Sequence, residues 1–350
     1  MNYNPLDKDF IQTEENFFFC IVGYIHPPDR ILSYLKYIPD DSGKWKYEDQ
    51  NLKRVLPYYS AKSVVNTLEF LKIKYPQYIF YDEYNKIMFS AVPYFYIKKY
   101  YSSQEKLKEI FSLSKLDSLQ NKLKSFISIL SELSGLSIDA FGVTGSILLN
   151  IHNPKFSDLD ITIYGYDNSI KVKRIMKEIF ERNHQEIEPL DEDESIRWQQ
   201  DKVKQFGMSP DDAKSLFIRK WNMGLFQKTR FSLHPIRNLK EIYEKYGNKV
   251  FVGKGPIEIH AKILDNSEAL FLPSKYRITD VNVQKGNDVQ DIEEIVSYEG
   301  VFDSVVEKDE FVKAIGLLEL VTDNSKGKSY HRVVIGSKKG NSREFLSVIK

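Results

Sequence analysis

The stretch Phe141-Gly142-Val143-Thr144-Gly145-Ser146, followed after an eleven-residue spacer by Asp158-Leu159-Asp160, constrains the fold of this chain more than any other segment. It reads as an apolar strand, Ala140–Thr144, a Gly-Ser turn, a helix, Ser146–His152, an Asn153-Pro154 turn and a second strand, Asp158–Tyr164. Residues two apart on a strand share a face, so Asp158 and Asp160 point together. Carboxylates that close repel each other unless a cation lies between them. Mg2+ (or Mn2+), which prefers oxygen ligands, is the natural occupant. A Gly-Ser turn opening a helix presents unbonded backbone N–H groups, which suit a phosphate. A phosphate cradle facing a metal-binding pair points to phosphoryl or nucleotidyl transfer.

The segments around this motif predict an α+β protein in three parts. Residues 1–102 read as a small N-terminal α+β domain, with strands Phe17–Tyr24 and Ile31–Ile38 and a helix Ser60–Tyr75 capped by Ser60 and striped by Val64, Val65, Leu68 and Leu71. A hairpin, Tyr78–Tyr81 with Ile87–Val92, completes it. Residues 103–256 hold the motif. Gln104–Ser134 is helical, with an interruption near Ser112–Ser114, and delivers the chain through Gly135 into the motif. After it come helices Asn168–Arg182 and Ser209–Trp221, a hairpin Leu225–Gln227 with Arg230–Ile236, and a last helix, Leu239–Tyr246. The acid-rich Glu186–Glu194 segment reads as a solvated loop leading into a helix.

Residues 257–350 change character. Ile257–Leu264, Ala269–Leu272, Tyr276–Val283, Asp291–Ser297, Phe311–Leu320, Tyr330–Ile335 and Phe345–Ile349 are short apolar runs between Gly, Asn, Asp and Ser punctuation. The last five are enough for a small OB-like barrel. Lys326, Lys328, Arg332, Lys338, Lys339 and Arg343, with Tyr330 among them, form a basic strip. Such a strip on a barrel suits single-stranded RNA or DNA; the structural reading is a pair of Lys-rich hairpin tips that discourage edge pairing.

Composition narrows the function classes. A formal charge of +1 gives no global attraction to nucleic acid, so only a local patch would supply one. A single cysteine, Cys20, in an apolar run, excludes an internal disulfide framework and a Cys-rich zinc site. No signal peptide is expected, and no apolar run approaches the roughly 20 residues needed to span a bilayer. The expectation is a cytoplasmic protein with no membrane partner.

Gly145-Ser146, the spacer and Asp158-Leu159-Asp160-Ile161 together resemble the signature of the polymerase-beta-like nucleotidyltransferase superfamily, over roughly Asp139 to Tyr246. More narrowly, the chain resembles a family of archaeal predicted nucleotidyltransferases. Gly145–Leu148, His152-Asn153-Pro154, Phe156–Asp160, Tyr164-Gly165, Arg219-Lys220-Trp221-Asn222 and Phe231–His234 carry that resemblance. The resemblance implies that Gly145 and Ser146 contact the phosphates of an NTP and that Asp158 and Asp160 hold the metal. It also implies transfer of an NMP to an acceptor, RNA among the options, with release of pyrophosphate. Lys220 and Arg230 are the cations expected to assist at the phosphates. The superfamily usually brings a third carboxylate on a later strand. Here that strand, Arg230–Pro235, offers Ser232 and His234 on one face, with His234 the expected base or ligand. Glu186, Glu188 and Asp191 are the nearby acids available from the loop. The alternative expectation is an inactive module of the same fold that binds nucleotide or nucleic acid.

Overall fold

The computed structural model describes residues 4–55, 61–182, 184–337 and 343–349. Ser60, Lys338 and Lys339 lie outside the described residues, as do the side chains of Val64 and Val65. The chain is a mixed α+β protein containing an eight-stranded, a five-stranded and a six-stranded sheet among the described residues.

The N-terminal sheet is antiparallel. Its strands include the two expected runs, now Phe18–Ile21 and Arg30–Pro39, and the hairpin Ile79–Asp82 with Ile87–Pro93. Phe10–Thr13 and Ile97–Tyr101 pair with each other as well, which brings the two ends of this unit together. Helix Ala61–Lys74 buries Leu68 and Leu71, and Leu71 packs with Ile11, Phe19 and Leu35 of the sheet. The opposite face of the sheet, carrying Phe10, Phe18, Tyr37, Leu52 and Tyr101, forms one apolar cluster with Leu148, Leu149 and Ile151. The N-terminal unit is therefore packed directly onto the segment that follows the Gly-Ser turn.

The expected helical stretch before the motif is two helices, Ser103–Ser112 and Ser118–Ser134. The break has a local cause. Asp117 accepts hydrogen bonds from the N–H groups of Leu119 and Gln120, and Gln120 reaches back to the Asp117 N–H, a complete capping box. Gly135, at φ +64°, ends the second helix in the left-handed region.

The central sheet runs, by neighbours, Ile187–Glu188, Met223–Phe226, Thr229–Ile236, Leu159–Tyr164, Phe141–Val143. Leu159–Tyr164 is parallel to Thr229–Ile236 and antiparallel to Phe141–Val143. Leu159, Ile161, Ile163, Phe231 and Leu233 bury one face against Leu123, Phe126, Val172 and Met176. The helices contributing there are Ser118–Ser134 and Tyr166–Arg182.

Two expected helices are corrected. Ser146–His152 shrinks to Gly145–Leu148, because Asn150 turns left-handed at φ +57° and the Ile151 N–H bonds back to the Ser146 carbonyl at 3.0 Å. Leu239–Tyr246 is only a 3-10 turn, Leu239–Glu241. Ile242 packs toward Leu6, Tyr164 and Ile236, while Tyr246 stands edge-on to Tyr84 at 5.0 Å. These separate tertiary partners override helical propensity.

The β-rich part begins at Lys249 rather than Ile257, because Lys249–Asp265 is one continuous strand paired along its length with Phe311–Asp323. Ala269–Leu272 is no strand; a 3-10 turn, Ser267–Leu270, sends Leu270 and Phe271 into the central core. Pairing proceeds from Lys249–Asp265 to Ser274–Lys285, Ile292–Ser297, Lys328–Ile335 and Phe311–Asp323, which returns to Lys249–Asp265. Ile292–Ser297 and Lys328–Ile335 are parallel, the other neighbours antiparallel. Helices Glu192–Phe206 and Pro210–Ile218 pack on this β-rich part through Phe206, Ala213 and Leu216, so by packing they belong to it.

Candidate functional site

The parallel register sets Asp160 opposite Ser232 and Thr162 opposite His234. Strand alternation sends Leu159 and Ile161 to the core, leaving Asp160, Ser232 and His234 on the other face. Asp158 lies just ahead of the strand, with part of its surface open to solvent but with protein crowded around its carboxyl. Gly145 closes the arrangement from the neighbouring strand. The Thr144 N–H donates to the Asp160 carbonyl at 2.9 Å, and Gly145 follows at φ +68°. A Cβ on Gly145 would collide with Asp160 Oδ2. Only glycine satisfies both the left-handed backbone and the approach of the carboxylate. The two halves of the sequence motif are therefore one spatial unit.

Asp160 is engaged through its other oxygen. Ser232 Oγ donates to Asp160 Oδ1 at 2.5 Å, and His234 Nε2 lies 2.8 Å from Ser232 Oγ and 3.9 Å from Asp160 Oδ1. Burial pushes the Asp160 carboxyl up, but His234, the Lys36 ammonium and the Ser232 hydrogen bond together hold it well below the usual carboxylate range. Asp158 behaves oppositely. Burial and the charge of Asp160 push it up to about 6, against the pull of Arg230 and Arg54 and with a further push from Glu194. Among the described residues, no group of three His, Cys, Asp or Glu side chains is placed to hold a metal ion.

The remaining expected residues are distributed unevenly. Ser146 follows Gly145 in the turn, and its hydroxyl makes no hydrogen bond to the described residues. Arg230 stays beside the pair and is clamped by Glu194, with Nη2 at 2.6 Å and Nε at 2.8 Å from Oε1. Lys220 is not brought to the pair: its ammonium is committed to Asp303 and to the carbonyls of Gly300 and Val301. Arg219 likewise forms a fork with Glu310, both bonds 2.8 Å. Glu186 accepts from Gln227, Glu188 pairs with Lys228, and Asp191 caps the helix Glu192–Phe206.

Sequence reasoning missed Glu194, whose Oε2 is buried without a hydrogen-bond partner. Asp191 capping the N–H of Glu194 was a readable helix-start signal, but the contact with Arg230 was not. The described residues of the basic strip do not assemble as one surface. Lys328 pairs with Glu293, Arg332 is buried against Glu319 and the Phe251 ring, and Arg343 packs beside Gly207.

Fold and site thus define a mixed α+β protein with the Asp160 carboxylate seated against a glycine turn. No family model matches the chain. It is 30% identical over 344 residues to the uncharacterized protein MJ1086 of Methanocaldococcus jannaschii, covering 97% of this chain and 98% of that one. The chain belongs to the same family as this archaeal protein. No solved structure matches it. No helix among the described residues is long and apolar enough to cross a membrane.

Proposed function

We propose that the protein is a metal-dependent nucleotidyltransferase of the polymerase-beta-like type, moving an NMP from an NTP to an acceptor and releasing pyrophosphate. The observation that carries this reading is the seating of Asp160 Oδ2 against the Gly145 turn. The order of the central sheet supports it: the strand before the turn is antiparallel to the Asp strand, which is parallel to the strand of Ser232. The ring of pairings in the β-rich part, with its single parallel pair, supports an OB-like reading of that unit.

Asp158 and Asp160 fit a hard divalent ion. Both offer oxygen, the pair repels in its absence, and Asp160 Oδ2 is left free by the Ser232 bond to Oδ1. Mg2+ or Mn2+ held there would supply charge neutralisation at the phosphates. Ser146 and the turn N–H groups orient the phosphate chain. Arg230, tethered by Glu194, adds positive charge at the rim. His234, through Ser232, is placed to hold or move a proton next to Asp160.

A specific observation favours a second reading. The strand position opposite Asp160 holds a serine that donates to it, not a third acid. That arrangement suits a nucleotide-binding module without turnover. The test is incubation with labelled NTPs, Mg2+ or Mn2+ and a mixed RNA pool. Metal-dependent labelling abolished by Asp158→Ala and Asp160→Ala supports the enzyme. Nucleotide binding without labelling selects the module, and no nucleotide binding at all sinks both.

A further inference from the structure

The N-terminal unit has no catalytic pattern of its own, yet it reaches the carboxylate pair along two routes. Thr144 Oγ1, beside the Gly-Ser turn, donates to the Lys8 carbonyl at 2.6 Å. Two residues on, Phe10 packs in one cluster with Leu148 and Leu149, immediately after the turn. The Lys36 ammonium stands over the Phe10 ring at 5.0 Å and is buried, 8% exposed. On the second route, Phe156, two residues before Asp158, meets Trp45 edge-on at 6.3 Å, and Trp45 meets Tyr37 at 5.4 Å. Tyr37 is the register partner of Arg54. Both cations come from the face of the N-terminal sheet that covers the turn, Lys36 over the Phe10 ring and Arg54 beside Tyr37.

We infer that the N-terminal unit forms the anion-binding wall of this site, with Lys36 and Arg54 receiving the polyphosphate of the nucleotide held opposite Asp158 and Asp160. This rests on the transferase reading for the identity of the nucleotide. The charge logic is separate from it. Two carboxylates and a divalent ion are close to neutral together, so the four or so negative charges of a triphosphate need cations from another element. Burial of the Lys36 ammonium among aromatic rings removes competing water and strengthens its attraction for an anion. A guanidinium at Arg54 adds the fork geometry that grips phosphate.

The test is titration calorimetry on the full chain with two probes, inorganic tripolyphosphate and the unphosphorylated nucleoside, each with Mg2+. Lys36→Met and Arg54→Met are each expected to weaken tripolyphosphate binding at least tenfold, with Lys36→Arg retaining most of it and nucleoside binding unchanged. Arg54→Met, at a partly exposed position, serves if Lys36→Met melts early. Tripolyphosphate binding that is unchanged in both Met variants overturns the inference and leaves the transferase reading standing. Lys36- and Arg54-dependent binding without any nucleotidyl transfer keeps the anion wall and removes the enzyme. A wild-type protein that binds no tripolyphosphate overturns the wall outright.

Discussion

Asp160 and Ser232 stand directly opposite each other on neighbouring parallel strands, and the Ser232 hydroxyl donates to Asp160 Oδ1 at 2.5 Å. Ser232→Asp would place a second carboxylate against the first. Without metal, that variant loses a hydrogen bond to a charged acceptor, about 1.5–3 kcal/mol, and gains like-charge repulsion. With Mn2+ in excess, the added ligand should raise its melting temperature more than that of the wild type. Thermal melts with and without Mn2+ measure both effects. An equal Mn2+ response in the two proteins would mean that position 232 does not face a metal seat.

Gly145→Ala meets two obstacles, the backbone at φ +68° and Asp160 Oδ2 in the space of the new methyl. A left-handed non-glycine residue costs about 1–3 kcal/mol, and the collision adds to it. Asp160→Ala on the same background should remove the collision but not the backbone strain. Urea unfolding of the two single variants and the double variant therefore gives less than the sum of the singles. Strict additivity would locate the strain away from the carboxylate.

The carboxyls of Asp158 and Asp9 are each pushed up from 3.8 to about 6, chiefly by burial; Asp160 adds to the push on Asp158. Between these values the folded chain binds more protons than the unfolded one, so both groups make stability fall as pH rises from about 4 to 6. Asp158→Asn should flatten part of that slope and be more stable than wild type above pH 6. Mg2+ at neutral pH should stabilise the wild type and leave the variant less responsive. Unfolding free energies across pH 4–7 check the sign; a slope unaltered by the substitution contradicts the raised Asp158 carboxyl.

Arg219 grips Glu310 with two 2.8 Å bonds and also donates to the Val305 carbonyl at 3.2 Å, joining the end of helix Pro210–Ile218 to the β-rich part. Arg219→Ala should cost about 1–3 kcal/mol in stability, with Arg219→Lys recovering little because an ammonium lacks the fork. Nucleotide binding by the folded protein should stay at the wild-type level. A selective loss of nucleotide affinity at unchanged stability would return Arg219 to the site.

The Gly-Ser turn, the strand carrying Asp160 and the break between the two leading helices were legible because each is written in adjacent residues. Glycine alone accepts the left-handed turn, alternation fixes the face, and Asp117 with Gln120 caps locally. The short helix after the turn and the lost helix after Leu239 were not legible, since Asn150, Ile242 and Tyr246 are positioned by tertiary neighbours.

By itself, then, the sequence determined the mixed α+β character, the β-rich C-terminal part and the strand that carries Asp160 beside the Gly-Ser turn. Only the tertiary structure decided who surrounds that site. Glu194 arrives from a helix packed on the β-rich part, Lys36 and Arg54 arrive from the N-terminal sheet, and Lys220 is drawn off to Asp303. These residues are far apart in the chain, and long-range charge contacts leave no periodicity or spacing to read. Their positions follow from which apolar faces pack together, so the site's cast is settled by the cores beneath it.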